Sequence, residues 1–326
     1  MFRTLKTQCY QHFFEGVEYT MKLYSLKEMS KLWGLSDGLL RRYCRDGRIP
    51  EAVLEDGSWW IPEGTEKPKG TYKKAPAPVL TSLAKRIIYE HSKNNHHGIY
   101  EYIQVNLAYS SCRMASNRLT RKQVIEVYRT DKISSAFEPM KVDDLIEMIN
   151  HFICMRHVID TLMEPLTQSY IKRLHTLLTY GTYADRKQKI GTGEYRTKAA
   201  SIGKKPACPP KDINKALGDL INEYEATKTS CTIERILDFH VRFERIRPFD
   251  DYNGRIGRII MMKECVRRGV DPFVIGDKNR SAYHKGLSEW DNAPELLLGL
   301  VHDEQELLSS KRELCKLMQY QRPPIR

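Results

Sequence analysis

The chain is predicted to be mainly α-helical, a helical bundle carrying one short β-hairpin, preceded by a small winged helix-turn-helix unit. Three observations carry this. From residue 80 onward apolar residues recur at helical spacing over 118–130, 142–163, 167–179, 212–226, 232–246, 255–268 and 294–318. The pattern is interrupted at 189–204, where Gly191, Thr192, Gly193, Thr197 and Gly203 mark a hairpin-like segment. Before residue 68, two short helical runs joined at Gly34 are followed by two apolar β-runs around Asp56-Gly57.

Taken in order, residues 1–20 are aromatic and irregular and read as an N-terminal extension. Residues 21–67 form the next unit. Ser25-Leu26-Lys27-Glu28 is a capping box, in which the Ser oxygen and the Glu carboxylate satisfy free amides at a helix start. Leu26, Met29, Leu32 and Trp33 supply an apolar stripe, and Gly34 ends that helix. Ser36 or Asp37 caps a second helix through about Arg45, and Gly47 suits the left-handed position after it. The Asp56-Gly57 turn then joins Ala52-Val53-Leu54 to Trp59-Trp60-Ile61 as a wing. Residues 68–79, rich in Lys, Pro and Ala, read as a linker. The remainder, 80–326, is the helical domain.

The segments Tyr24-Ser25-Leu26-Lys27-Glu28, Trp33-Gly34-Leu35-Ser36, Arg41-Arg42-Tyr43-Cys44, Gly47-Arg48-Ile49-Pro50 and Trp60-Ile61-Pro62 resemble the winged helix-turn-helix of excisionase and MerR-type regulators. The resemblance implies DNA as a partner, with the second helix in the major groove presenting Arg41, Arg42 and Arg45. The alternative is a solvated basic face on a small protein-binding module.

Bulk composition narrows the classes. The 326 residues are 41% hydrophobic, enough for two or three domains with real cores. No apolar run reaches the roughly eighteen residues that span a bilayer, and the first residues lack a signal-peptide pattern, so the expectation is a cytoplasmic protein without a membrane partner. The eight cysteines include no Cys-x-x-Cys pair and read as scattered reduced thiols. A formal net charge of +12 favours a polyanionic partner, nucleic acid or nucleotide phosphate.

The stretch from His240 to Arg258 is the most informative. A helix over 232–246 stops at Pro248, which cannot continue it, and a second starts near Asn253-Gly254. The intervening loop points backbone amides at one spot with a helix dipole behind them, an anion site suited to a diphosphate. Arg255 and Arg258, three residues apart, share a face and can neutralise phosphate oxygens. Asp251 stands at the loop edge, where a carboxylate can hold Mg²⁺ between two phosphates. Phe249 plugs the loop into the core. His240 and His284 read as structural histidines, and Glu244 and Glu264 as ordinary partners of neighbouring arginines.

This stretch resembles the Fic family motif, His-x-Phe-x-(Asp/Glu)-Gly-Asn-Gly-Arg-x-x-Arg, with Phe249, Asp251, Asn253, Gly254, Arg255 and Arg258 matching. Leu174-His175, Gly193-Glu194-Tyr195-Arg196-Thr197 (the family's target-binding flap), Pro209-Pro210, Asp271-Pro272-Phe273-Val274-Ile275 and Tyr283-His284-Lys285-Gly286-Leu287 extend the likeness over roughly 80–318. It implies a Fic/Fido helical bundle that transfers AMP from ATP, or handles another nucleoside triphosphate, to a Ser, Thr or Tyr hydroxyl of a protein docked on the flap, with Mg²⁺ on Asp251. Phe249, Tyr252, Asn253, Gly254, Arg255, Arg258 and Tyr283 would surround the nucleotide.

Two motif positions depart. Arg247 replaces the histidine that takes the proton, and an arginine stays protonated. Tyr252 replaces the first Gly. A third departure lies upstream. Many family members carry a Ser-x-x-x-Glu-(Gly/Asn) helix whose Glu blocks the second motif Arg; here Ser111 through Asn117 align with it and Ala115 stands at the glutamate's place, so that brake is expected to be missing. The reading is a nucleotide-binding protein with impaired AMPylation and a DNA-binding module. Its rivals are a working transferase with another base, and a DNA-binding regulator whose Fic domain serves for homo-oligomerisation.

Overall fold

A computed structural model of the chain describes residues 9–14, 17–45, 47–55, 58–68, 80–93, 97–133, 140–187, 189–203, 205–226 and 231–320, with the side chains of 9–21 and 313–320 outside the description. The chain divides into two compact units, Met1–Ala77 and Pro78–Arg326. The Asp56-Gly57 turn and nearly all of the 68–79 linker lie outside the described residues.

In the first unit β1 (Cys9–Phe14), β2 (Val17–Ser25), β3 (Val53–Glu55) and β4 (Ser58–Pro62) form an antiparallel sheet in the order β1-β2-β4-β3, with Leu23 opposite Pro62 and Val53 opposite Trp60. The stretch read as an irregular extension therefore contributes strand from Cys9 onward, because β4 offers an edge on which β2 can pair. The helices α1 (Leu26–Trp33) and α2 (Asp37–Arg45) follow. Ser25 and Glu28 close the capping box on α1, and Gly34 ends it at φ 63°. Leu26, Met29, Leu40, Tyr43, Cys44, Ile49 and Ile61 make the small core. Leu32, placed in the apolar stripe from its spacing, is instead 62% exposed.

The second unit is helical: α3 (Ser82–Ser92), α4 (Ile99–Met114), α5 (Arg121–Thr130), α6 (Val142–Asp160), α7 (Gln168–Thr179), α8 (Tyr183–Arg186), α9 (Ile213–Ala226), α10 (Ile233–Ile246), α11 (Asn253–Arg268), α12 (Arg280–Ser288) and α13 (Glu295–Tyr320). The helix α4 escaped the periodicity reading because it is buried on nearly every side and leaves only a narrow partly exposed stripe, Tyr102, Asn106, Tyr109 and Arg113. At the centre lies α11, packed by α10, α4, α3, α6 and α7. Its polar residues survive burial by pairing: Glu264 binds Lys263, Arg267 and Arg268. A single short hairpin, β5 (Ser201–Ile202) with β6 (Lys205–Pro206), stands among the described residues of this unit. It starts inside the expected 189–204 interval, at β5, and ends just past it, at β6, beyond Gly193–Thr197, which is irregular.

Cys44, Cys112, Cys154, Cys208, Cys231 and Cys265 are free thiols. Among the described residues no helix is long and apolar enough to cross a membrane.

Candidate functional site

The site is the turn between α10 and α11. Pro248 ends α10, and Arg247 takes the left-handed C-cap conformation (φ 49°, ψ 64°) with its amide donating to the Phe243 carbonyl. Asn253 then closes the turn on itself: its Oδ1 accepts from the Phe249 amide (3.0 Å) and its Nδ2 donates to the Phe249 carbonyl (2.8 Å). Phe249 is fully buried and stacks on His175 of α7 at 4.0 Å between ring centres. Burial lowers the His175 pKa to about 4, so the imidazole is neutral, and its Nδ1 accepts from the Gly193 amide. Gly193 can approach so closely only without a Cβ, which would lie 2.5 Å from the Thr176 hydroxyl at a φ of 77°.

The segment Gly193–Thr197, expected to be a target-binding strand, instead braces this turn from behind. Arg196 is 3% exposed. Its guanidinium donates to the carbonyls of Arg247, Lys198, Ile246 and Cys208, and its amide donates to the Pro248 carbonyl. Tyr195 donates its hydroxyl to Gln168 and lays its ring against Phe249. Glu194 pairs with Lys172, and Thr197 faces outward. The physical reason is that the carbonyls at the end of α10 need donors, and a buried arginine fork supplies several at once.

Tyr252 caps α11 at φ 66°, a left-handed position that glycine adopts without strain, and no side chain caps the helix's first turn. Arg255 lies under Tyr252, its guanidinium carbon 3.5 Å from the ring centre. Its Nη1 meets Glu147 of α6 at 2.9 Å and its Nη2 meets Asp251 at 3.3 Å. The Tyr252 hydroxyl donates to the same Glu147 carboxylate (3.0 Å). Arg258 donates to the Ser111 hydroxyl and carbonyl of α4 (3.0 and 3.1 Å) and lies near the ring of Tyr283. Tyr283 is 1% exposed and meets His240 through its hydroxyl, so it supports Arg258 from below and has no open face for a nucleobase. Phe249 and Tyr252 are likewise buried and shape the loop. Gly254 sits half-buried at the first turn, where an added Cβ would lie 3.0 Å from Arg258.

Ser111 therefore holds the second motif arginine although Ala115, four residues on, is exposed and holds nothing charged. Asn117 donates to the Asp144 carbonyl and to Glu147. Glu244, expected to pair with an arginine, makes no such ion pair among the described residues; its nearest charged-type neighbour is His240 at 4.0 Å. Burial pushes its carboxyl pKa up, while Arg258 and Arg247 pull it down. Glu147 was not a candidate from the sequence, since nothing in its spacing ties it to a residue more than a hundred positions away.

Asp251 is mostly exposed, with one oxygen on Arg255 and the other accepting from the Tyr252 amide. Among the described residues no cluster of three or more His, Cys, Asp or Glu is placed to hold a metal ion. An exposed carboxylate of this kind fits Mg²⁺, which takes one or two carboxylates and completes its shell with phosphate and water. Arg41, Arg42 and Arg45 lie exposed on α2 of the first unit.

Comparison with known proteins sharpens this geometry. Residues 165–265 match the sequence profile of the Fic/DOC family. The chain is 27% identical over 100 residues to protein adenylyltransferase fic-1 of Caenorhabditis briggsae, covering 30% of this chain and 20% of that one. It is 32% identical over 81 residues to a probable protein adenylyltransferase of Aquifex aeolicus, covering 25% of each. The matches thus span only a fifth to a quarter of those relatives' lengths. In three dimensions it is similar to a Fic domain containing signaling protein from Bacteroides thetaiotaomicron (TM-score 0.57, 22% identity, 72% of this chain and 95% of that one). It is also similar to Fic-1 from C. elegans (TM-score 0.56, 15% identity, 73% and 74%). Residues 165–265, which hold this turn, its buried phenylalanine and its two arginines, thus match the Fic/DOC family, and the fold is similar to that of solved Fic proteins.

Proposed function

We propose that the chain is a nucleotide-binding Fic protein, attached to DNA through its first unit, in which AMP transfer to a protein hydroxyl is impaired. One observation carries the reading: Arg247 stands where the family places its proton acceptor, on a backbone that Arg196 clamps in position. The presentation is kept and the chemistry is lost, because a guanidinium cannot take a proton from an attacking hydroxyl. Losing a positioned base costs on the order of 10²–10⁴ in rate.

Nucleotide binding is supported by the uncapped start of α11 and by Arg255 and Arg258 beside it. ATP is the nucleotide the named relatives suggest. Mg²⁺, if held by Asp251, would neutralise charge between two phosphates. A protein target would pair with the exposed hairpin at Ser201–Ile202 and Lys205–Pro206. DNA contact would run through Arg41, Arg42 and Arg45.

The experiment is calorimetry with ATP and Mg²⁺, followed by transfer from labelled ATP. Binding without transfer is expected in the native chain, and Arg247→His should raise transfer by about 10²–10⁴. Absence of binding at millimolar ATP sinks the nucleotide reading, and an unchanged rate in Arg247→His sinks the account of the impairment. One observation favours the rival of a working transferase: the mostly buried Glu244 has a carboxylate oxygen without a hydrogen-bond partner. Transfer by the native chain that disappears in Glu244→Gln would select it.

A further inference from the structure

We propose that Glu147 and Tyr252 form a built-in competitor for the nucleotide, with the Glu147 carboxylate occupying on Arg255 the place of a phosphate oxygen. This deepens, and rests on, the nucleotide-binding reading above. Arg255 is 5% exposed at its side chain and flanked on three sides: Glu147 at an ion-pair distance of 2.9 Å from Nη1, Asp251 at 3.3 Å from Nη2 and the Tyr252 ring against its flat face at 3.5 Å. The buried Nη1 makes no aligned hydrogen bond, so its contact with Glu147 is one of charge. An arginine fork presents a fixed set of donors, and a carboxylate and a phosphate claim the same ones. A phosphate oxygen at Nη1 of Arg255 would therefore take the place of Glu147.

The device depends on the tyrosine that stands where the family motif has glycine. A glycine at 252 would satisfy the left-handed φ of 66° without strain. The tyrosine tolerates it, and its side chain then does two things that a glycine cannot. Its hydroxyl fastens Glu147 (3.0 Å), and its ring covers Arg255. Two departures from the motif region thus have one explanation. Ala115 leaves no carboxylate on α4 to occupy Arg258, which donates to the neutral Ser111 and lies near the Tyr283 ring. The carboxylate arrives instead from α6, on the other arginine. Asn117, at the end of the same α4 segment, donates to both the Asp144 carbonyl and Glu147 and so ties the turn after α4 to the position of α6. A shift of α6 away from α11 would free Arg255 while leaving Arg258 and Ser111 together.

The test is ATP·Mg²⁺ affinity, measured by calorimetry on the full chain and on Glu147→Gln, which keeps an acceptor for the Tyr252 hydroxyl and removes the charge. Removing the charge that neutralises Arg255 should tighten binding roughly ten- to hundredfold. In an Arg255→Met background the gain should vanish, because it passes through that guanidinium. Tyr252→Phe, which deletes the fastening hydroxyl alone, should tighten binding several-fold and keeps the test decisive if Glu147→Gln fails to fold. Binding by the native chain that is unchanged or weakened in both single variants overturns the competitor. So does a gain that persists without Arg255. If neither the native chain nor any variant binds ATP, the nucleotide reading itself has failed, a result distinct from unchanged affinity.

Discussion

Arg196→Met probes the support of the motif turn directly. The guanidinium donates to the carbonyls of Arg247 (2.7 Å), Lys198 (2.7 Å), Ile246 (3.3 Å) and Cys208. Methionine preserves the length of the stem and the backbone bond to Pro248, but leaves these carbonyls without their donor. Bonds from a charged donor contribute about 1.5–3 kcal/mol each. They do not add, because removing the buried cation also removes its desolvation cost and some carbonyls recover water. The net loss expected is therefore well below the sum of the separate bonds, about 3–5 kcal/mol. For a unit of this size each kcal/mol lowers the melting temperature by about 2–4 °C, so the fall should be about 6–20 °C. A circular-dichroism melt of the full chain measures it. Arg196→Lys, which keeps the charge without the fork, should recover only part of the loss. A fall below about 2 °C in Arg196→Met, or full recovery with lysine, would show that this arginine does not brace the turn through its several donors.

Two further outcomes follow from the electrostatics. Burial lowers the pKa values of His151, His175 and His240 to about 3, 4 and 3, and both His151 ring nitrogens lack a hydrogen-bond partner. Between the ordinary imidazole value near 6.5 and these folded values the unfolded chain binds more protons, so stability is lost as pH falls from about 6.5 towards 4. His151→Leu should flatten that loss by about 1.4 kcal/mol per pH unit, read from urea midpoints at neutral pH and near pH 5; an unaltered slope counts against a neutral buried His151. On the first unit, Arg41→Ala with Arg42→Ala should weaken binding to duplex DNA and make its salt dependence shallower by about two in log–log slope, whereas an unchanged slope removes α2 from the contact.

The turn's own residues were legible because the geometry is local. Pro248 stops a helix wherever it falls, Asn253 reaches back four residues to bridge Phe249, and Arg255 and Arg258 share a face at any helix start. The flap was misjudged for a related reason. Gly193 and Arg196 look like hairpin and target-binding residues by type, yet their surroundings turn them into a support for the turn, and the hairpin forms instead around Gly203. Glu244 looked like a helix salt-bridge residue because arginines surround it in sequence, but α10 turns it inward beside His240.

By itself the sequence determined the helical class, the break at Pro248 and the likeness to the family motif, with an arginine at 247 in place of its histidine. All of these depend on residues within a few helical turns of one another. Only the tertiary structure decided what those residues touch. Glu147 reaches Arg255 across 108 positions (255 minus 147), and Ser111 reaches Arg258 across 147. Such pairs come from separate helices packed side by side, and no spacing rule links them before the helices meet. Whether Arg255 stands ready for a phosphate or is already taken is a property of packing, set by α6 lying against α11.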